Sequence, residues 1–156
     1  MPLNPVLYGR ERLPVMWMAP RIVLISAALC CGCSETIESR YSNTNEAIRS
    51  GAIARGWVPD ILPKDAVDIR EFHKIDTGQT WGCFITPGGL QQVRTRLLEV
   101  GAKQEEGTLP PEAGGPPWWP TIPPDEKHSL PEAGGRVVRI RLNVATREVC
   151  FSREIA

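Results

Sequence analysis

Cys83 and His73 are the one pair of side chains in this sequence whose types and placing suit covalent chemistry. A cysteine beside a histidine can act as a thiolate nucleophile with its base, and both residues fall within what reads as one hairpin. A small hydrolase or thiol enzyme built on them requires an accessible thiol with a perturbed pKa. The plainer reading of the same residues is a half-buried cysteine and an exposed strand histidine. The other histidine, His128, lies in a proline-rich stretch, and neither histidine stands in a metal-ligand spacing with the cysteines, so no metal and no cofactor is expected. Gly88 and Gly89 lack the longer glycine pattern and the lysine of a phosphate loop. Cys83 and Cys150 read as members of different hairpins, and in an oxidising compartment they form either a disulfide or two separate buried thiols. A bridge would close a loop of about 67 residues and add about 4 kcal/mol by the chain-entropy argument.

The remaining cysteines, Cys30, Cys31 and Cys33, follow the apolar run IVLISAAL at 22–29, which is itself preceded by Arg21. Charge, then an apolar stretch, then small residues is the order of a secretory signal, and the run is too short for the roughly 20 residues of a membrane-crossing helix. With Gly32 before Cys33, the order resembles a bacterial lipoprotein signal, although Cys30 stands where that pattern usually has Leu. The resemblance implies lipidation of Cys33 and anchoring by acyl chains on a membrane surface. Ser34 after the cysteine implies forwarding to the outer membrane in a diderm source. Starts at Met16 or Met18 would give a shorter signal, and the contrary reading makes residues 22–31 a buried core helix.

Over the whole chain, 18 basic residues balance 18 acidic ones. Removal of residues 1–32 leaves 15 basic and 17 acidic, a net charge of about −2 that gives no footing for a nucleic-acid partner. The length suits one domain, and the 15 prolines and 14 glycines exceed what a regular compact fold uses, so they must be concentrated somewhere.

The elements that would hold Cys83, His73 and Cys150 can be read from periodicity. Residues 34–42 are mostly polar and read as a tether. Asn43 and Glu46 have the spacing of a capping box for a first helix that would run to Gly56. After the proline-interrupted WVPDILP at 57–63, residues 66–75 alternate partly, with Val67, Ile69 and Ile75 on one face, Asp68, Arg70 and Lys74 on the other, and Phe72 on the polar side. Asp76, Thr77 and Gly78 form a turn into a returning strand at 80–85. Thr86 and Pro87 open a second helix carrying Leu90, Val93, Leu97 and Val100 and closed by Gly101. A long excursion from Gly107 to Gly135 holds most of the prolines, two PEAGG copies and PPWWP at 116–120. A second hairpin follows, with Val138, Ile140, Leu142 and Val144 on one face of its first strand and residues 147–153 returning.

These elements make an α+β fold, a small two-layer sandwich in which an antiparallel sheet of two hairpins is covered by two helices. The domain occupies residues 43–156. Trp118 and Trp119 put two large rings on a stiff segment, which serves either as a contact surface or as a cover folded back over a small core. Arg136, Arg139 and Arg141 line the last hairpin as a solvated face or as a strip for an anionic partner.

Two pieces, ARGWVPDILPKDAVDI at 54–69 and DTGQTWGCF at 76–84, carry a likeness that extends from Arg40 to Phe84. They resemble the YbbD head domain family of small bacterial envelope lipoproteins. The resemblance implies an exported, lipid-anchored head and assigns no catalytic or ligand-binding residue. The expected function is therefore that of a cell-envelope protein anchored to a membrane by lipid, a non-enzymatic binding or structural module whose partner is another envelope protein or a wall component.

Overall fold

The structure, a computed structural model, describes residues 35–107 and 114–154. The leader and Cys33 lie outside the described residues, as do residues 108–113 of the excursion. No helix among the described residues is long and apolar enough to cross a membrane.

Seven strands form one antiparallel sheet: β1 (Thr36–Asn43), β2 (Val67–Lys74), β3 (Thr80–Ile85), β4 (Lys103–Gln104), β5 (Glu126–Pro131), β6 (Val137–Asn143) and β7 (Glu148–Glu154), in the spatial order β1-β2-β3-β7-β6-β5-β4. Two α-helices among the described residues, α1 (Thr44–Arg49) and α2 (Gln91–Glu99), accompany it, so the domain is α+β and mostly sheet. One meander, β1-β2-β3, and another, β4-β5-β6-β7, meet along the β3–β7 ladder at the centre.

β6 buries Val138, Ile140 and Leu142 and turns Arg139 and Arg141 to the other side, the alternation of a strand with one apolar face. Residues paired in register share a face, so Phe84, Val149 and Leu142 line up across β3, β7 and β6, as do Phe151 and Ile140. Ala47 of α1, Val58 and Ile61 of the following loop, and Leu90, Val93 and Leu97 of or beside α2 belong to the same core. Each large apolar side chain fully buried here stabilises the fold by about 1.5–3 kcal/mol. Gly82 faces the same way, and the Phe151 ring takes its place: a Cβ on Gly82 would lie 2.2 Å from Phe151 Cζ.

The structure corrects several expectations. Residues 36–43 are no tether but the edge strand β1, paired with β2 from Thr36↔Lys74 to Asn43↔Val67, and a buried Tyr41 ties them to the core. The first helix is a short one. Asn43 caps it, its side chain accepting from the Glu46 N–H, and Glu46 in turn accepts from the Ser42 N–H at 2.7 Å, but the chain leaves helical geometry at Gly51, whose φ of 78° only glycine adopts at ease. Thr86 is buried and caps nothing. Its backbone N–H and its hydroxyl both donate to the Arg147 carbonyl, and α2 starts only after Gly88 and Gly89. The excursion holds a strand, because the Pro-free run EKHSL of β5 pairs with β6 from Glu126↔Leu142 to Pro131↔Val137. The sheet therefore exceeds two hairpins.

β2 departs from its expected facing. Ile69, Glu71 and His73 are buried on the helix side, whereas Ile75, assigned there from its apolar character, is 49% exposed past the strand end. Asp68, with φ 46°, sits where the β2–β3 register shifts. Phe72, on the supposed polar side, packs against Trp81 with ring centroids 5.9 Å apart. The second face of the sheet is thus covered as well.

Candidate functional site

That second face brings together most of the residues singled out by sequence. Cys83 and Cys150 are direct cross-strand partners in the central ladder, and their sulfurs are joined as a disulfide at 2.10 Å. Both are nearly inaccessible, at 4% and 2% exposure. The bridge fastens β3 to β7, and therefore one meander to the other.

Residues 114–124 lie over this region as a strap. Pro116 is buried, and a bond from the Trp119 N–H to the Pro116 carbonyl at 2.9 Å turns the chain. Gly115 is closely packed: a Cβ there would lie 3.3 Å from both Trp81 Nε1 and Trp119 Cγ, so these rings would have to shift slightly to admit one. Trp118 and Trp119 diverge. Trp118 Nε1 donates to Glu38 Oε1 of β1 at 3.1 Å, so its ring reaches the sheet edge, half-buried. Trp119 sits with the Arg141 guanidinium 5.6 Å from its ring, and Arg141 also donates to the carbonyls of Pro120 (3.4 Å) and Ile122 (3.1 Å). The basic strip is divided accordingly, with Arg141 holding the strap and Arg136 exposed. Arg141, Glu148 and Cys150 line a cavity of about 20 Å³ under the strap, room for about one water. Lys74 lies 5.4 Å from the Trp81 ring at the other end of this face.

Cys83, Glu148 and Cys150 place their potential ligand atoms within 4.8 Å of one another. With both sulfurs in the disulfide, the thiolates that a soft metal requires are not available there.

His73 is not with Cys83. Along β2, His73 pairs with Thr80 and Arg70 with Cys83, and residues three apart on a strand face opposite sides. The nucleophile–base pair weighed from sequence is thereby separated by the sheet, and its sulfur is already bonded. The exposed strand histidine is corrected too, since His73 is buried at 6% exposure.

His73 instead belongs to a buried polar chain that sequence reasoning missed. His73 Nδ1 and Glu71 Oε1 are in hydrogen-bond contact at 2.6 Å, and the Tyr41 hydroxyl donates to Glu71 Oε2 at 3.0 Å. Glu71 is fully buried, so the carboxylate relies on these two partners in place of water. Burial raises the Tyr41 pKa above its ordinary value, and the neighbouring Glu71 adds to the shift. Trp57 closes the stack, its ring centroid 4.4 Å from that of His73 and the Arg55 guanidinium 3.8 Å from the Trp57 ring. The one signal for this chain in the sequence is the spacing Glu71-x-His73, which turns both side chains to one face. His128 lies on β5, 3.7 Å from Glu126, remote from either cluster.

A disulfide-stapled antiparallel sheet, with helices on one face and a tryptophan-bearing strap on the other, makes a small α+β domain. Residues 35–85, which span β1, α1, β2 and β3, match the model of the YbbD head domain. The match takes in about a third of the chain; β4 to β7, Cys150 and the strap lie beyond it, so the disulfide fastens the matched segment to the rest. No curated protein and no solved structure matches the chain.

Proposed function

We propose that this protein is a lipid-anchored cell-envelope head, a two-layer α+β sandwich held on a membrane surface through Cys33, that binds another envelope protein or a wall component without catalysing a reaction. The observation that carries the reading is the Cys83–Cys150 bridge at the centre of the sheet. Structural disulfides persist in oxidising compartments, which agrees with export directed by the charge, apolar run and cysteine order at 21–33. The match of residues 35–85 to the YbbD head domain supports the same reading. The Trp118 side of the strap is the binding surface in this proposal: an amphipathic ring on a proline-stiffened segment loses little conformational freedom when it is covered by a partner.

The mass of the membrane-fraction protein, measured beside a Cys33→Ser control, tests the anchor. A mature chain beginning at Cys33 with added acyl mass, lost in the control, is the expected result. An unprocessed chain in the soluble fraction overturns it. Crosslinking and co-purification then test binding, and a Trp118→Ala/Trp119→Ala chain that recovers the same partners as the parent removes the strap from the proposal.

A further inference from the structure

β1 forms one border of the sheet: it is paired with β2 on one side, and no strand among the described residues pairs with the other. The Ile75 N–H donates to the Glu35 carbonyl, which fixes the phase of the β1–β2 ladder there. In an antiparallel pair, successive residues turn their backbone groups alternately toward and away from the neighbour, so Thr36, Glu38, Arg40 and Ser42 turn theirs to the free border. The Ser42 N–H does leave the sheet, donating to the Glu46 side chain. Among the described residues no strand takes up Thr36, Glu38 and Arg40, which are a template for another strand.

The sequence across this border is complementary to itself. Two copies of β1 laid antiparallel about a two-fold axis through Ser39 set Glu38 of each copy opposite Arg40 of the other, Ile37 opposite Tyr41, and Ser39 opposite Ser39. This register pairs outward-turned residues with outward-turned residues, as the ladder requires. It also keeps both charge pairs on the strap face, because Glu38 and Arg40 lie on one side of β1 and Tyr41 on the other. Glu38 and Arg40, the two charged side chains of the strand, are exposed within one copy, at 41% and 63%, and their own contact is a long 3.5 Å. A border guarded against pairing would carry charges that repel in every register; here opposite charges face each other in this one. Trp118, bonded to Glu38, flanks the same border and would extend the contact on that face.

We propose that β1 is a homodimerisation strand, and that a second copy of this chain adds antiparallel to it in the Ser39-centred register to make one continuous sheet across the two-fold axis. The contact is isologous and closes at two copies, since each β1 is used up by its partner.

A cysteine crosslink reads the register. At the two-fold position, Cβ atoms lie about 4.5–5.5 Å apart across the strands, close to what a disulfide spans. The full chain carrying Ser39→Cys is expressed in a bacterial host, oxidised in the cells and run on a non-reducing gel beside the parent, whose own cysteines set the background. A dimer band at least several-fold above the parent is expected. Adding Arg40→Glu, which opposes two pairs of carboxylates, returns it to background, and adding Glu38→Arg to that chain restores it, because the exchanged charges are again complementary. A Ser39→Cys chain whose thermal melt equals the parent's but which forms no band above background overturns the proposal. So does a band that survives Arg40→Glu alone, or a Ser39→Cys adduct with a different protein in place of the homodimer. Should Ser39→Cys fail to fold, sedimentation of the purified full chain with and without Arg40→Glu decides: a dimer mass lost on substitution supports the strand, and a monomer mass in the parent overturns it.

Discussion

Replacing both Cys83 and Cys150 by Ala removes the bridge at the β3–β7 ladder, and its cost follows from the loop it closes. The two cysteines are 67 residues apart in sequence, and the loop-closure entropy withheld from the unfolded chain is worth about 4 kcal/mol at room temperature. For a domain of about 120 residues, each kcal/mol moves the melting temperature by roughly 4 °C, so the double variant should melt about 16 °C below the parent. The effect is strongly non-additive. Either single substitution already opens the loop, so Cys83→Ala and Cys150→Ala should each fall close to the double variant. Calorimetric melts of the four proteins, with and without a dithiol reductant, form the assay. Reductant should leave the double variant unchanged and lower the parent only slowly below its melting range, because both sulfurs are buried beneath the strap. Single variants that each lose about half of the double variant's shift would refute the argument, since the cysteines would then be acting as two separate buried side chains. A double variant within about 4 °C of the parent would refute the loop-entropy estimate itself.

Glu71→Ala leaves His73 and the Tyr41 hydroxyl without their shared partner inside the core, and removing one member of a buried pair costs about 3 kcal/mol; urea denaturation measures it, and a loss below about 1 kcal/mol would mean that the chain Tyr41–Glu71–His73 is not coupled. Glu126 is held below its ordinary pKa chiefly by its hydrogen bonds from Arg94 of α2. A carboxylate with a depressed folded pKa contributes stability above its unfolded value and loses it as pH falls through the folded one, so the parent's advantage over Glu126→Gln should be full at neutral pH and shrink from roughly pH 5 downward. Melting both proteins over that range checks the sign, and an advantage that grows on acidification would contradict it.

The strands legible in the sequence are those whose apolar residues alternate against a single covered face. β6 is the clearest, and β7 and α2 follow the same logic through Val149 with Phe151 and through Val93 with Leu97. What escaped reading did so for physical reasons. β1 has only Ile37 and Tyr41 to mark it, because an edge strand anchored by one buried ring needs little apolar surface. β5 is hidden between prolines that constrain its neighbours but not the run itself. Alternation assumes a wet side, and this sheet has none at its centre: in β3, the consecutive residues Thr80 to Phe84 are all buried, with helices on one face and the strap on the other. Phe72 and Trp81 look misplaced only until that second cover is known. The disulfide was open to inference as one of two alternatives, whereas Glu71 and His73 gave no sign of burial because charged side chains rarely go inside without a partner that sequence does not reveal. Cys33 and the leader lie outside the described residues, so their reading rests on sequence alone.

The order of the strands has a bearing on synthesis. β7 follows every other strand in the chain yet occupies the middle of the sheet. Until it arrives, β3 and β6 each present a bare, apolar-flanked border, and the two meanders have no common ladder. A ribosome or a translocation pore releases the chain from its start onward, so these halves must wait, unjoined, for residues 148–154 before the barrier of long-range pairing can be crossed. Completion is therefore all-or-nothing and late. A nascent chain cut short before Glu148 would be two sticky fragments on one tether, a ready substrate for chaperones and proteases, and not a smaller version of the same domain.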